Sequence, residues 1–168
     1  YNLPPMDLNG SCDSYPVVSM GSDTFEDKDA MVEQHLNPNY WSSYEFQATL
    51  PGNGECKIQI WDHDKLGMDD LVGETFIDIE NRWFNQEWRA HDLKPAERRT
   101  LKLPGSSMSQ GKIQLWVDIL TPQEAKQVNA FCHGHRRHRH HHRHRHRPLH
   151  HHLLHHSPLP LLPRPRTR

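Results

Sequence analysis

Five aspartates in two groups, Asp7 with Asp13 and Asp62 with Asp64 and Asp70, are the residues of this chain best placed to do chemistry. They flank the stretches that read as strands instead of lying on them. In an antiparallel sandwich the loops at one end of the two sheets converge, so acids far apart in sequence can share one pocket. Carboxylates a few ångströms apart repel strongly even at an effective dielectric of about 20, so such a cluster is tolerable only when something cationic fills it. Calcium suits the donor set, because it accepts roughly six to eight oxygens in flexible geometry, whereas magnesium demands a tighter octahedron and retains water. Taken alone, either group also reads as ordinary turn chemistry, since Asp is common beside Gly and Asn in loops.

The elements that must position these acids are short and alternating. Lys57 to Asp62 puts Ile58 and Ile60 on one face, and Lys112 to Ile119 puts Ile113, Leu115, Val117 and Ile119 on one face, as a half-buried strand requires. Tyr44 to Leu50 alternates likewise, and Tyr15 to Met20 and Leu71 to Ile79 are rich in the residues that favour strands. Turn signals separate them: Asn9-Gly10, Asn37-Pro38, Pro51-Gly52-Asn53-Gly54 and Pro104-Gly105. The pattern predicts an all-β, antiparallel sandwich. Asn81 to Ala90 lacks alternation and is expected to be helical, with Phe84 and Trp88 on one side. A second short helix is expected at Thr121-Pro122-Gln123-Glu124, which has the Thr, Pro and Glu of a capping box.

The two aspartate spacings, six apart in the first group and at relative positions zero, two and eight in the second, resemble the first and third calcium loops of the C2 domain family. The neighbouring residues agree: Met6-Asp7-Leu8-Asn9-Gly10, Leu36-Asn37-Pro38, Trp61-Asp62-His63-Asp64 and Asp70-Leu71-Val72-Gly73-Glu74. Within that family, Gly73-Glu74-Thr75-Phe76-Ile77-Asp78-Ile79-Glu80-Asn81-Arg82 and Gly111 to Ile119 are similar to the later C2 domains of ferlins. The resemblance implies a C2-type Greek-key sandwich over residues 1 to 120, a short segment over 121 to 132, and a tail over 133 to 168. It departs at Pro16, which falls inside the expected strand, where a proline supplies no ladder hydrogen bond. The chain reads as a fragment incomplete at its N-terminus, with most of the first strand expected before Tyr1.

What the resemblance implies is a calcium-dependent phospholipid-binding module of a ferlin-like protein in membrane fusion, vesicle trafficking or membrane repair. Its metal ligands are expected to be Asp7, Asp13, Asp62, Asp64 and Asp70, its cofactor Ca2+, and its partner an anionic phospholipid surface together with other domains of a longer parent. It would work at the cytoplasmic face of membranes, peripheral in this fragment, while a ferlin-like parent would be membrane-anchored. The alternative is a C2-like protein-interaction scaffold with a weak or absent calcium site. Leu8, Leu66 and Met68 sit beside the ligands and are candidates for membrane contact, although they could equally pack on one another or on the end of the sandwich.

Charge sharpens the mechanism. Residues 1 to 132 hold all 21 acids against 11 Lys and Arg, for −10, while 133 to 168 hold nine Arg and no acid, for +9. Attraction of the acidic body to an anionic surface must therefore come from bound ions. The tail, with 13 His among 36 residues and no hydrophobic periodicity, is expected to be disordered, and no nucleic-acid function is assigned to it. Cys12, Cys56 and Cys132 form no CxxC pair, so neither a disulfide framework nor a thiolate zinc site is expected. No phosphate loop, nucleophile elbow or His-Glu-x-x-His motif is present, and the chain is not expected to be an enzyme.

Overall fold

A computed structural model of the chain describes residues 1–52, 54–65 and 67–127. The expected tail and residues 128–132 lie outside the described residues, as do Asn53 and Leu66. The chain divides into two compact units, Tyr1–Leu120 and Thr121–Arg168.

In the first unit the alternating segments become antiparallel strands. They are β1 (Ser14–Met20), β2 (Asp23–Glu26), β3 (Glu55–Asp62), β4 (Asp70–Asp78), β5 (Glu97–Thr100) and β6 (Lys112–Leu115). One sheet runs β2-β1-β3-β4 and a second pairs β5 with β6. After the β1–β2 hairpin the chain makes a long excursion and returns as β3 to lie beside β1 on the side away from β2. The sandwich fold expected from the sequence is the fold observed.

Burial follows the pleat. In β3 Cys56, Ile58, Ile60 and Asp62 are buried while the residues between them are not. Ile58 joins Val18, Cys56, Ile77 and Ile79 in one core cluster, and Ile60 joins Leu3, Cys12, Val72 and Leu101 in another. Ile113 of β6 packs against both, so the two-stranded sheet closes over the four-stranded one. The layers approach closely at Gly73, where an added Cβ would stand 3.1 Å from the Cβ atoms of Leu101 and Gln110 and 3.3 Å from the Lys102 amide nitrogen. Next to it Glu74 and Lys102 exchange backbone hydrogen bonds of 2.8 and 3.0 Å. Gly73→Ala would press into atoms fixed on the far side, and thermal unfolding is expected to show a loss of about 1–3 kcal/mol.

Two expectations are corrected. Tyr44 to Leu50 is not a strand, although Tyr44, Phe46 and Leu50 pack against the core. Alternation records one buried face, whereas a strand also needs ladder partners, and this stretch has the first property without the second. The same distinction ends β6 at Leu115 while Val117 and Ile119 still pack inward. The expected helix over 81–90 is two helices, α1 (Ile79–Phe84) and α2 (Gln86–Ala90). Asn85 divides them, its extended backbone ending α1 and its side chain accepting the Trp88 amide as the cap of α2.

Pro16 is accommodated inside β1, paired with Ile60. Ser14 exchanges hydrogen bonds with Val32, so the even positions of β1 direct their backbone groups away from β3. The missing N–H of Pro16 thus falls on the outer side, where β2 has ended and only the carbonyl of Pro16 is used, by the Asp27 amide at 3.0 Å. In the second unit, residues 122–127 are helical. Thr121 and Glu124 cap that segment reciprocally, the Glu124 amide donating to Thr121 Oγ1 at 3.3 Å and the Thr121 amide to Glu124 Oε2 at 2.7 Å. Among the described residues no helix is long and apolar enough to cross a membrane.

Candidate metal centre

The acids collect where β1 begins, β3 ends and β4 begins. Asp7 sits in a tight turn closed by the Met6 and Asp7 amides, which donate to the Ser11 carbonyl at 2.8 and 3.0 Å, and by the Gly10 amide, which donates to the Asp7 carbonyl at 3.0 Å. The turn needs φ of +82° at Gly10, a conformation open to glycine, and there is free space around that residue. Asn9 accepts the Ser11 amide at 2.9 Å, and the Ser11 hydroxyl lies within 2.8 Å of Asp7 Oδ2. These bonds fix the direction of the Asp7 carboxylate.

Asp62, the last residue of β3, is buried, and its Oδ1 accepts the Asp13 amide at 2.6 Å. The His63 amide donates to the Asp13 carbonyl at 2.9 Å, so the two loops are stitched together by backbone. As a result, oxygens of Asp7, Asp62 and Asp64 lie within 4.8 Å of one another. Two oxygens on one calcium ion can be separated by at most twice its bond length of 2.3–2.6 Å, or about 5 Å, so this all-oxygen group fits calcium.

The other two predicted ligands do not join that group. Asp13 is buried and its Oδ1 accepts the Gln34 amide at 2.7 Å. Asp70 is exposed and stands opposite Asp62 in the β3–β4 ladder. Between Ile60 and Trp61 the register shifts, because Ile60 pairs with Gly73 and Trp61 with Leu71, leaving Val72 as an extra residue. Such a bulge twists the strand locally and changes the direction in which Asp70 leaves the sheet. Leu8 and Met68, the described membrane-contact candidates, are fully exposed at 110% and 89% of their reference areas. They do not pack on each other or on the sandwich.

Burial pushes the Asp62 carboxyl above the usual carboxylate range, and the charges of Asp7 and Asp64 add to that shift, while hydrogen bonds from Cys12 and the Asp13 amide oppose it. The Cys12 thiol, itself buried against Asp62, is pushed up strongly, first by burial. Asp69 is different. Hydrogen bonds from Lys28, Tyr15 and His63 hold its carboxyl well below the usual range, Lys28 contributing most. Sequence spacing passed over Asp69 in favour of its neighbour Asp70. The available signal was the Asp69-Asp70 doublet, which does not say which member is held by Lys28, Tyr15 and His63.

A family model described as "C2 domain" matches residues 1–96. The chain is 42% identical over 84 residues to Fer-1-like protein 4 of Mus musculus, covering 50% of this chain and 4% of that protein. It is 35% identical over 126 residues to myoferlin of Xenopus tropicalis, covering 75% of this chain and 6% of that protein. With myoferlin of Homo sapiens it shares 39% identity over 84 residues, covering 50% and 4%. The chain therefore spans only a small part of these relatives. The matched model, the antiparallel sandwich and the ferlin relatives together establish that the chain belongs to the C2 domain family, as a C2 domain of the ferlin kind.

Proposed function

We propose that residues 1–120 form a calcium-dependent module that docks on anionic phospholipid, with Asp7, Asp62 and Asp64 as the first ligands and Asp13 and Asp70 closing around the ion. The observation that carries this reading is the meeting of three carboxylates from two distant loops beside two bare apolar tips, Leu8 and Met68. Bound calcium would supply positive charge at a mouth that is otherwise negative and offer coordination positions to phosphate oxygens. The residues of this chain do the rest: the Ser11 and Asp13 contacts aim the ligands, and the apolar tips enter the headgroup boundary. In a ferlin-like parent such a module would serve membrane fusion, vesicle trafficking or repair from the cytoplasmic face.

Calorimetry and sedimentation with the 168-residue chain test the proposal. Calcium is expected to release or absorb heat and raise the melting temperature, by an amount equivalent to about 2.7 kcal/mol when calcium is 100 times its Kd. Phosphatidylserine-containing vesicles should pull the chain down with calcium and release it to a chelator. A folded sample with no heat and no gain in melting temperature at millimolar calcium would exclude the module. The second reading, a protein-interaction scaffold, is favoured by one observation: Oδ1 of Asp13 and Oδ1 of Asp62 are already engaged by backbone amides, leaving fewer free oxygens. It predicts a folded chain that does not follow vesicles in either condition.

A further inference from the structure

We propose that Asp69 is a positioning residue for the metal mouth, clamping the loop between β3 and β4 to strand β1, with Lys28 and Tyr15 as its anchors; the proposal rests on the calcium reading above. Each of its oxygens has a separate task. Oδ1 faces the loop, accepting the Asp64 amide at 3.2 Å and lying 2.9 Å from His63 Nδ1. Oδ2 faces the sheet, accepting from the Tyr15 hydroxyl at 2.8 Å and from Lys28 Nζ at 2.7 Å.

The anchors are well held. Tyr15 is 2% exposed and paired with Trp61 in the β1–β3 ladder, so its hydroxyl is presented by the rigid part of the sandwich. The Lys28 ammonium lies 5.2 Å from the Tyr15 ring centroid and 3.3 Å from Glu26. The clamp therefore connects a backbone amide of one proposed ligand, Asp64, to the core through a single carboxylate. A carboxylate has two oxygens and about four lone-pair sites, enough for the four groups gathered around Asp69. With both oxygens engaged, Asp69 stays out of the three-carboxylate group, and Lys28 neutralises its charge.

Lys28 makes the test decisive, because two explanations predict opposite signs. If Lys28 acted only as a charge, removing it would make the region more negative and tighten calcium binding. If it anchors Asp69, removing it loosens the loop that carries Asp64 and weakens binding. For Lys28→Met and for the charge-neutral Tyr15→Phe, calorimetry on the 168-residue chain is expected to show a calcium Kd raised about tenfold, the scale seen when a partner of a metal ligand is lost. Lys28→Arg, which restores a donor and the charge, should return Kd close to wild type. A Kd that is unchanged or lowered in both variants overturns the clamp. Hydrogen exchange at the Asp64 amide without calcium provides the second readout, since Lys28→Met should speed it, and unchanged exchange also overturns the clamp. A wild-type chain that binds no calcium would instead overturn the calcium reading, while the exchange result still decides whether Asp69 holds the loop.

Discussion

Asp62→Asn is expected to melt higher than the wild type without calcium and lower with it, so that the two melting temperatures exchange order across a calcium titration. The calcium-free half follows from the burial of Asp62 beside Asp7 and Asp64, which raises its carboxyl. A carboxyl whose pKa is raised on folding binds its proton more tightly in the native state. Its contribution to stability therefore falls as pH rises from the unfolded value, about 3.9, through the raised native one, and stays low above it. Asn carries no charge to bury and keeps an oxygen for the Asp13 amide, so it escapes that loss. Its advantage should shrink as the pH is lowered through the same window. The calcium-loaded half follows from the loss of an anionic ligand, expected to weaken binding by on the order of a hundredfold. Differential scanning calorimetry at neutral pH, with chelator and with millimolar calcium, measures both halves. Identical order in the two conditions would refute the assignment of Asp62.

The second large effect concerns the apolar tips. Leu8→Ser combined with Met68→Ser is expected to weaken calcium-dependent vesicle binding while leaving the calcium heat unchanged, because both side chains are exposed and carry no ligand atom. A fully buried side chain of this size contributes about 1.5–3 kcal/mol. Tips that enter only the headgroup boundary realise about half of that each, so the pair should lose roughly ten- to a hundredfold in affinity. Sedimentation against vesicles of fixed phosphatidylserine content, with calorimetry on the same protein, separates this outcome from a general loss of calcium binding. Unchanged sedimentation would show that docking is purely ionic.

Much of this architecture was legible because β3 declares itself. Ile58, Ile60 and the terminal Asp62 carry the pleat and a carboxylate of the cluster in one run, and the paired aspartate spacings pointed to the two loops that bring Asp7, Asp62 and Asp64 together. What remained hidden depends on partners instead of pattern. Asp23–Glu26 and Glu97–Thr100 are strands with no alternating apolar face. Glu97 and Arg99 look like surface charges, yet Arg82 grips Glu97, and Arg99 donates to the Phe76 carbonyl at 2.6 Å. Tyr44 to Leu50 failed in the opposite sense, since its alternation is real and its ladder is not. At the site, the sequence could list five carboxylates but could not show that Asp13 turns one oxygen to a backbone amide. Nor could it show that the neighbour of Asp70 is the one held by Lys28 and Tyr15.

The bulge at Val72 leaves Asp62 and Asp70 facing each other as the outermost rung of the β3–β4 ladder. Asp62 is buried at that rung and Asp70 exposed, so the ladder itself joins the floor of the carboxylate mouth to its rim. A divalent cation that drew the two together would lock the rung, and slower exchange of the last amides of β3 and the first of β4 would be an early sign that it had arrived.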